Sequence, residues 1–167
     1  TANYTNTTAQ VSHIYTDIIF PVLDPKVVYE VRLSFHWLGQ GENLQDYGSV
    51  YLTDVTNTPV ADSVFTSGVI VTNLRGTGTW TNPSYPLDML ELSGKTKRLV
   101  FSWKNNASIG TNPSFAIDNV TIFYYPQASI SSTTATQIIR PIGAGVLNSP
   151  VLSLNIKIPT PVILDGM

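Results

Sequence analysis

The run VVYEVRLSFHWLG, Val27–Gly39, alternates apolar and polar residues along most of its length. Val31, Leu33, Phe35 and Trp37 fall on one face, while Arg32, Ser34 and His36 fall on the other. A period of two is the signature of a strand with one face buried. RLVFSW, Arg98–Trp103, repeats the pattern R-L-x-F-x-W. Leu33, Phe35 and Trp37 are therefore expected to meet Leu99, Phe101 and Trp103 in one core. Each such side chain contributes roughly 1.5–3 kcal/mol on burial. The flanking sequences do not repeat, so the echo reads as two strands meeting one packing requirement, not as a duplicated half-domain.

Working outward, VSHIYTDIIF (Val11–Phe20) alternates and becomes more apolar towards Ile18 and Phe20. The Gly-rich stretch GQGENLQDYG (Gly39–Gly48) is a loop, and SVYLTDV (Ser49–Val55) is a strand. FTSGVIVTNL (Phe65–Leu74) is a further strand. RGTGTW (Arg75–Trp80) reads as a loop ending at Trp80. NPSYPLDMLELSGKTK (Asn82–Lys97) carries two prolines and allows at most a helical turn. FAIDNVTIFYY (Phe115–Tyr125) closes a set of about seven strands. The pattern predicts an all-β chain: an antiparallel jelly-roll β-sandwich over residues 1–125. A Ser/Thr-rich linker is expected over 126–137. Residues 138–167 add an extra C-terminal strand segment, and about 30 residues rarely form a core alone. That segment begins a further domain, completes the sandwich, or is donated to a neighbouring chain.

Charged residues make up 12% of the 167 residues and the formal net charge is −2, which leaves no basic patch for nucleic acid. With 43% hydrophobic residues the chain is also unlike a disordered one. It has no cysteine, hence no disulfide and no thiolate chemistry. No apolar run approaches the ~20 residues of a helical membrane span. The polar start at Thr1 carries no leader, so an exported chain would have lost it or would carry it upstream.

Several motifs, in order, resemble a known family. RLVFSWKNNASIGTNPSFAIDNVTI resembles the last two strands of the choice-of-anchor J, or cleaved-adhesin-like, jelly-roll domains of Bacteroidota surface proteins. LSFHWLGQGENLQDYGSVYLTDVTNTPVADS resembles the middle of those domains, VSHIYTDIIFP resembles the strand before it, and Trp80 matches a tryptophan usual before R-L-V-F. The likeness covers residues 8–125. It implies a non-catalytic module of an adhesin, protease or other protein exported by type IX secretion, located outside the cell or on its outer surface. Two departures stand out. The family's K-N-D is K-N-N here, Lys104–Asn106, and the family's one or two strands preceding Val11 have no counterpart. The C-terminal tail is an expected substitute, within one chain or between chains as a homo-oligomer by strand exchange.

Asp118 stands alone in an apolar strand, and a carboxylate near a core needs hydrogen bonds, a cation or a metal. The resemblance implies that an Asp in such an I-D-N strand holds a structural calcium. Glu42 and Asp46 would add oxygen ligands, since Ca²⁺ takes roughly six to eight. The alternative is that Asp118 bonds backbone N–H groups of the loop before it. Trp37 and Trp103 are in phase with the core, whereas Trp80, Tyr47 and Tyr85 are candidates for glycan contact. Asp62–Val64 fits a D-S/T-apolar pattern resembling Bacteroidota O-glycosylation sites, which marks Ser63. His13 and His36 are the only histidines, and no nucleophile–base–acid motif accompanies them. The expected function is a non-enzymatic module acting in adhesion or surface-structure assembly, with a host or surface glycan or protein as partner. The alternative is a carbohydrate-binding accessory domain of an exported enzyme.

Overall fold

The computed structural model describes residues 7–42, 44–108, 110–127, 129–132, 154–157 and 162–164. The strands are β1 (Gln10–Ile19), β2 (Tyr29–Gly39), β3 (Tyr47–Asp54), β4 (Val69–Leu74), β5 (Thr77–Thr81) and β6 (Ser84–Leu87). A single helical turn, α1 (Met89–Leu92), precedes β7 (Thr96–Asn105) and β8 (Ala116–Pro126). Three short strands follow: β9 (Ser129–Ser132), β10 (Leu154–Lys157) and β11 (Val162–Leu164). One sheet has the order β1-β7-β3-β4, and the second has β11-β8-β2-β5, with β6 also paired to β2. All these pairings are antiparallel. The chain is an antiparallel β-sandwich in jelly-roll order. The place beside β8 is taken by β11, so the C-terminal segment supplies a strand to the sandwich of its own chain. β9 and β10 pair with each other in a separate two-stranded sheet. The remainder of the expected linker at 126–137 and of the strand group at 138–167 lies outside the described residues.

The two R-L-x-F-x-W strands lie in opposite sheets, as β2 and β7, and their apolar rows face each other. Leu33, Phe35, Trp37, Leu99, Phe101 and Trp103 are all buried. Phe35 meets Phe101 edge to face at 5.3 Å and Tyr85 in a stack at 5.8 Å, geometries that suit the ring quadrupoles. Val100, between the inward residues of β7, points to the opposite face. There it shares a second apolar layer with Tyr51 and Phe65, whose rings meet at 5.1 Å. The connection after β3 covers this layer.

Two stretches expected as non-strand are strands. The Gly-rich run before Trp80 forms most of β5, and the proline-containing run after it forms β6. Both are edge strands against β2, where a missing N–H is tolerated. The flat backbone of Gly78 also leaves room for Gln40, whose amide would lie 2.7 Å from an added Cβ.

Candidate functional site

At one end of the sandwich the loop from Gly39 to Tyr47 folds on itself. Glu42 N–H donates to Asp46 O at 3.0 Å, and Asp46 N–H donates to Glu42 O at 2.9 Å. This one-pair antiparallel bridge puts both side chains on one face. Gly41 makes the turn possible: its φ is +59°, and an added Cβ would sit 2.1 Å from Asp46 O. Asp46 is fully buried, and its Oδ1 accepts from Asn106 N–H at 2.8 Å. It therefore ties the Gly-rich loop to the K-N-N turn that ends β7. The Glu42 Oε2 atom is also buried, and it has no hydrogen-bond partner among the described residues.

Asp118 is elsewhere. It lies in β8 opposite His36 of β2, at a bulge where the pairing steps from Ser34–Thr121 to His36–Asp118. Asn119 sits in the bulge with φ +50°, a conformation that Asn tolerates better than most residues. The bulge leaves Asp118 exposed, contrary to the expectation of a carboxylate near the core. Its Oδ1 accepts from the next residue's N–H, that of Asn119, at 2.7 Å. Asn119 Nδ2 lies 2.9 Å from His36 Nδ1. The long loop preceding β8 is anchored by Asp46, not by Asp118. Among the described residues no group of three or more His, Asp or Glu side chains is placed to hold a metal ion. Glu42 and Asp46 share a face; Asp118 does not join them.

The three aromatic candidates point to three different surfaces. Thr81 pairs with buried Trp37, so neighbouring Trp80 projects from the outer face of its sheet and is 51% exposed. Tyr47 pairs with Lys104 on the outer face of the other sheet, and the ammonium lies 5.4 Å from the ring centroid. Tyr85 pairs with buried Leu33 and faces inward. Burial there pushes its hydroxyl pKa upward.

Two clefts open where the sheets part. The first, about 380 Å³, is lined by Tyr85, Leu87 and Leu92, with Asp88, Glu91 and Lys97 at its rim. Asp88 caps α1 by accepting from Leu90 N–H at 2.9 Å, and Lys97 is held by Asp54 at 2.7 Å. Sequence reasoning did not single out these charged residues. The only local signal was D-M-L-E-L, a capping residue before an apolar turn. The second cleft, about 360 Å³, is mostly apolar, lined by Ile14, Leu99, Phe101, Ile117 and Val120, with Thr16, Asp118 and Asn119 also on its wall.

His13 Nε2 lies 3.1 Å from both Val60 O and Ser63 O, and so pins the loop that carries Ser63. Ser63 itself is exposed in a turn. No protein-family model matches this chain, and no curated protein matches it.

Proposed function

We propose that the chain is a non-catalytic β-sandwich module of a secreted or surface-attached bacterial protein, acting in adhesion or surface-structure assembly. The carrying observation is the use made of the motifs that support the family resemblance. The L-x-F-x-W rows are packed against each other, and Asp46 is committed to tying two loops together. Residues of that kind define a rigid scaffold that presents its surface. The test is to couple the full chain to beads and measure adhesion to extracellular glycoproteins and to other coated beads. Adhesion is expected, without turnover of ester, peptide or glycoside substrates. Turnover that vanishes in His13→Ala or His36→Ala would overturn the reading.

A second reading, the carbohydrate-binding accessory domain, is favoured by the cleft at Tyr85. Its ring is braced by Phe35, and Asp88 and Glu91 supply acceptors at the rim. It predicts saturable binding to a glycan panel that is lost in Tyr85→Ala and unchanged in Trp80→Ala.

The calcium expectation takes a narrower form. Glu42 and Asp46, with main-chain oxygens of their loops, are the residues that would hold the ion, and a divalent cation would neutralise two carboxylates turned inward together. The expected result is a melting temperature several degrees higher in calcium than in EDTA, with the difference abolished in Asp46→Asn. Identical melting in both conditions would remove calcium from the account.

A further inference from the structure

Two strand edges face each other across the second cleft. β1 pairs with β7 on one side, and β11 covers β8 only at Ile122–Tyr124. Among the described residues, no strand lies beyond β1, or beyond β8 from Ala116 to Thr121. Ile14 and Thr16 pair with core residues Phe101 and Leu99, so they project from the core face of their sheet, yet both are exposed. Across from them, Ile117 and Val120 of β8 pack against the core. Leu99 and Phe101 form the floor of the cleft, whose volume of about 360 Å³ is at the small end for a binding site.

Two polar features at the mouth lack partners among the described residues. Asp118 is the one charged residue on the wall. Its Oδ1 accepts from Asn119 N–H, and no cation pairs with the carboxylate. His36, opposite it on β2, is engaged by Asn119 instead, and Arg98 is held by Asp17 through two bonds of 2.7 and 3.0 Å. The second feature is the main chain of Tyr15. Asp62 N–H donates to Val11 O at 2.8 Å, and Val11 N–H donates to Asp62 Oδ1 at 3.3 Å, so Val11 turns both groups away from β7. In an antiparallel ladder this orientation alternates residue by residue. Tyr15 therefore turns its N–H and C=O outward as well, where neither makes a hydrogen bond.

We propose that this cleft docks an extended peptide segment of a partner protein, one that carries an apolar residue and, two positions away, a lysine or arginine. A peptide backbone supplies both the acceptor and the donor that Tyr15 lacks, which an apolar small molecule does not. Alternate residues of a peptide paired there face the cleft. One of them enters it above Leu99 and Phe101, and the next inward residue brings its cation to Asp118. The unpaired carboxylate thus selects the charge and the strand period sets the spacing. A second copy of this chain fits less well: its β1 carries no lysine or arginine, and its inward residues Ser12, Ile14, Thr16 and Ile18 are all uncharged.

The test is fluorescence anisotropy of labelled, end-blocked peptides titrated with the full chain. The peptides alternate threonine with valine, leucine and lysine, in that order and in the reverse order, because strand direction decides which side the lysine meets. Saturable binding of one of them is expected, with amide exchange at Tyr15 slowed in the complex. Asp118→Asn is expected to weaken it about two- to fivefold, the range of an exposed ion pair. Asp118→Lys is expected to reverse the preference between the lysine peptide and its glutamate counterpart, which a merely structural role for Asp118 would not do. Ile14→Lys sets a charge at the mouth and is expected to abolish binding, while Leu90→Lys, exposed on α1, leaves it unchanged. Absence of saturable binding by both peptides overturns the proposal, as does a charge preference that Asp118→Lys leaves in place. Light scattering that shows twice the 18.2 kDa of one chain, undisturbed by saturating peptide, gives the cleft to a second copy and overturns it too. Should Ile14→Lys fail to fold, the reversal at Asp118 decides alone. The inference goes beyond the adhesin reading and fails separately from it: peptide binding with catalytic turnover overturns only that reading, and adhesion without peptide binding overturns only this one.

Discussion

The two sides on which the sandwich opens are built differently. On the β4/β6 side the edge is irregular. The β3–β4 pairing shifts register between Gly48 and Val50 and again between Val50 and Tyr51, and Asn73 has φ +60°. A helical turn, α1, lies across the gap and inserts Leu92, which is 3% exposed. Charged groups ring the cleft beneath it. On the β1/β8 side β1 runs straight against β7, β8 bulges at Asn119, and the cleft between them is mostly apolar. Among the described residues no helix crosses it, and three residues of β11 cover only one end. A small plug seals one flank, while the other keeps Ile14 exposed at its mouth.

The largest expected effect tests that contrast directly. Leu92→Ala removes the plug and leaves a cavity, at a cost of about 2–5 kcal/mol. Ile14→Ala deletes the same class of side chain from the open flank and is expected to cost about 0.5 kcal/mol or less. Urea denaturation of the two variants measures the difference. Equal losses would mean that Ile14 is buried in solution and that the open flank is closed by something else.

Next in size is an alkaline effect under β11. Tyr124 pairs with Val162, is fully buried, and its hydroxyl has no hydrogen-bond partner among the described residues. Burial pushes its pKa up to about 12 from the ordinary 10.0. The folded state thus holds the proton more tightly than the unfolded state does. The stabilisation this represents is intact below pH 10 and is lost as pH rises from 10 through about 12. The loss amounts to about 2–3 kcal/mol at most. Tyr124→Phe is expected to flatten the alkaline limb and to be neutral or stabilising at pH 7, because a buried, unpaired hydroxyl is removed. An unchanged alkaline limb in that variant would show that the hydroxyl reaches water, so that this end too is open.

The central pair of strands was legible because period two fixes a face wherever long apolar rows occur. Phe35 and Phe101 meet as their phases require. β5 and β6 were hidden, since Gly76, Gly78, Pro83 and Pro86 signal breaks in any local reading and only pairing with β2 makes them strands. The loop-anchoring role was foreseen, but on Asp118. It falls to Asp46, whose partner Asn106 lies 60 residues away, a distance over which sequence pattern carries no information. The Asp118 exposure follows from a bulge that only the register against β2 specifies. The Ile14 exposure depends on how far the opposite sheet extends, which its own strand cannot encode.

The smallest effect compares the ion pairs that flank β7. Asp17 on β1 receives two bonds from Arg98, whereas Asp54 on β3 receives one from Lys97 at 2.7 Å. In both cases the hydrogen bond from the cation, chiefly, holds the carboxyl below the ordinary 3.8. A depressed folded-state pKa means stability that is present above the ordinary value and lost as pH falls through the depressed one. Both pairs are therefore expected to contribute to unfolding below about pH 4, each modestly, because exposed pairs are screened. The guanidinium's fixed fork should make the β1 pair the stronger. Asp17→Asn is expected to flatten the acid limb more than Asp54→Asn, and 1 M salt should raise the Asp54 carboxyl pKa more than that of Asp17. Carboxyl-carbon NMR titration of the wild-type chain reads both values at once. If the Asp54 carboxyl proves the more acid and the more resistant to salt, the fork at Arg98 is not holding Asp17, and the pair on β3 is the stronger of the two.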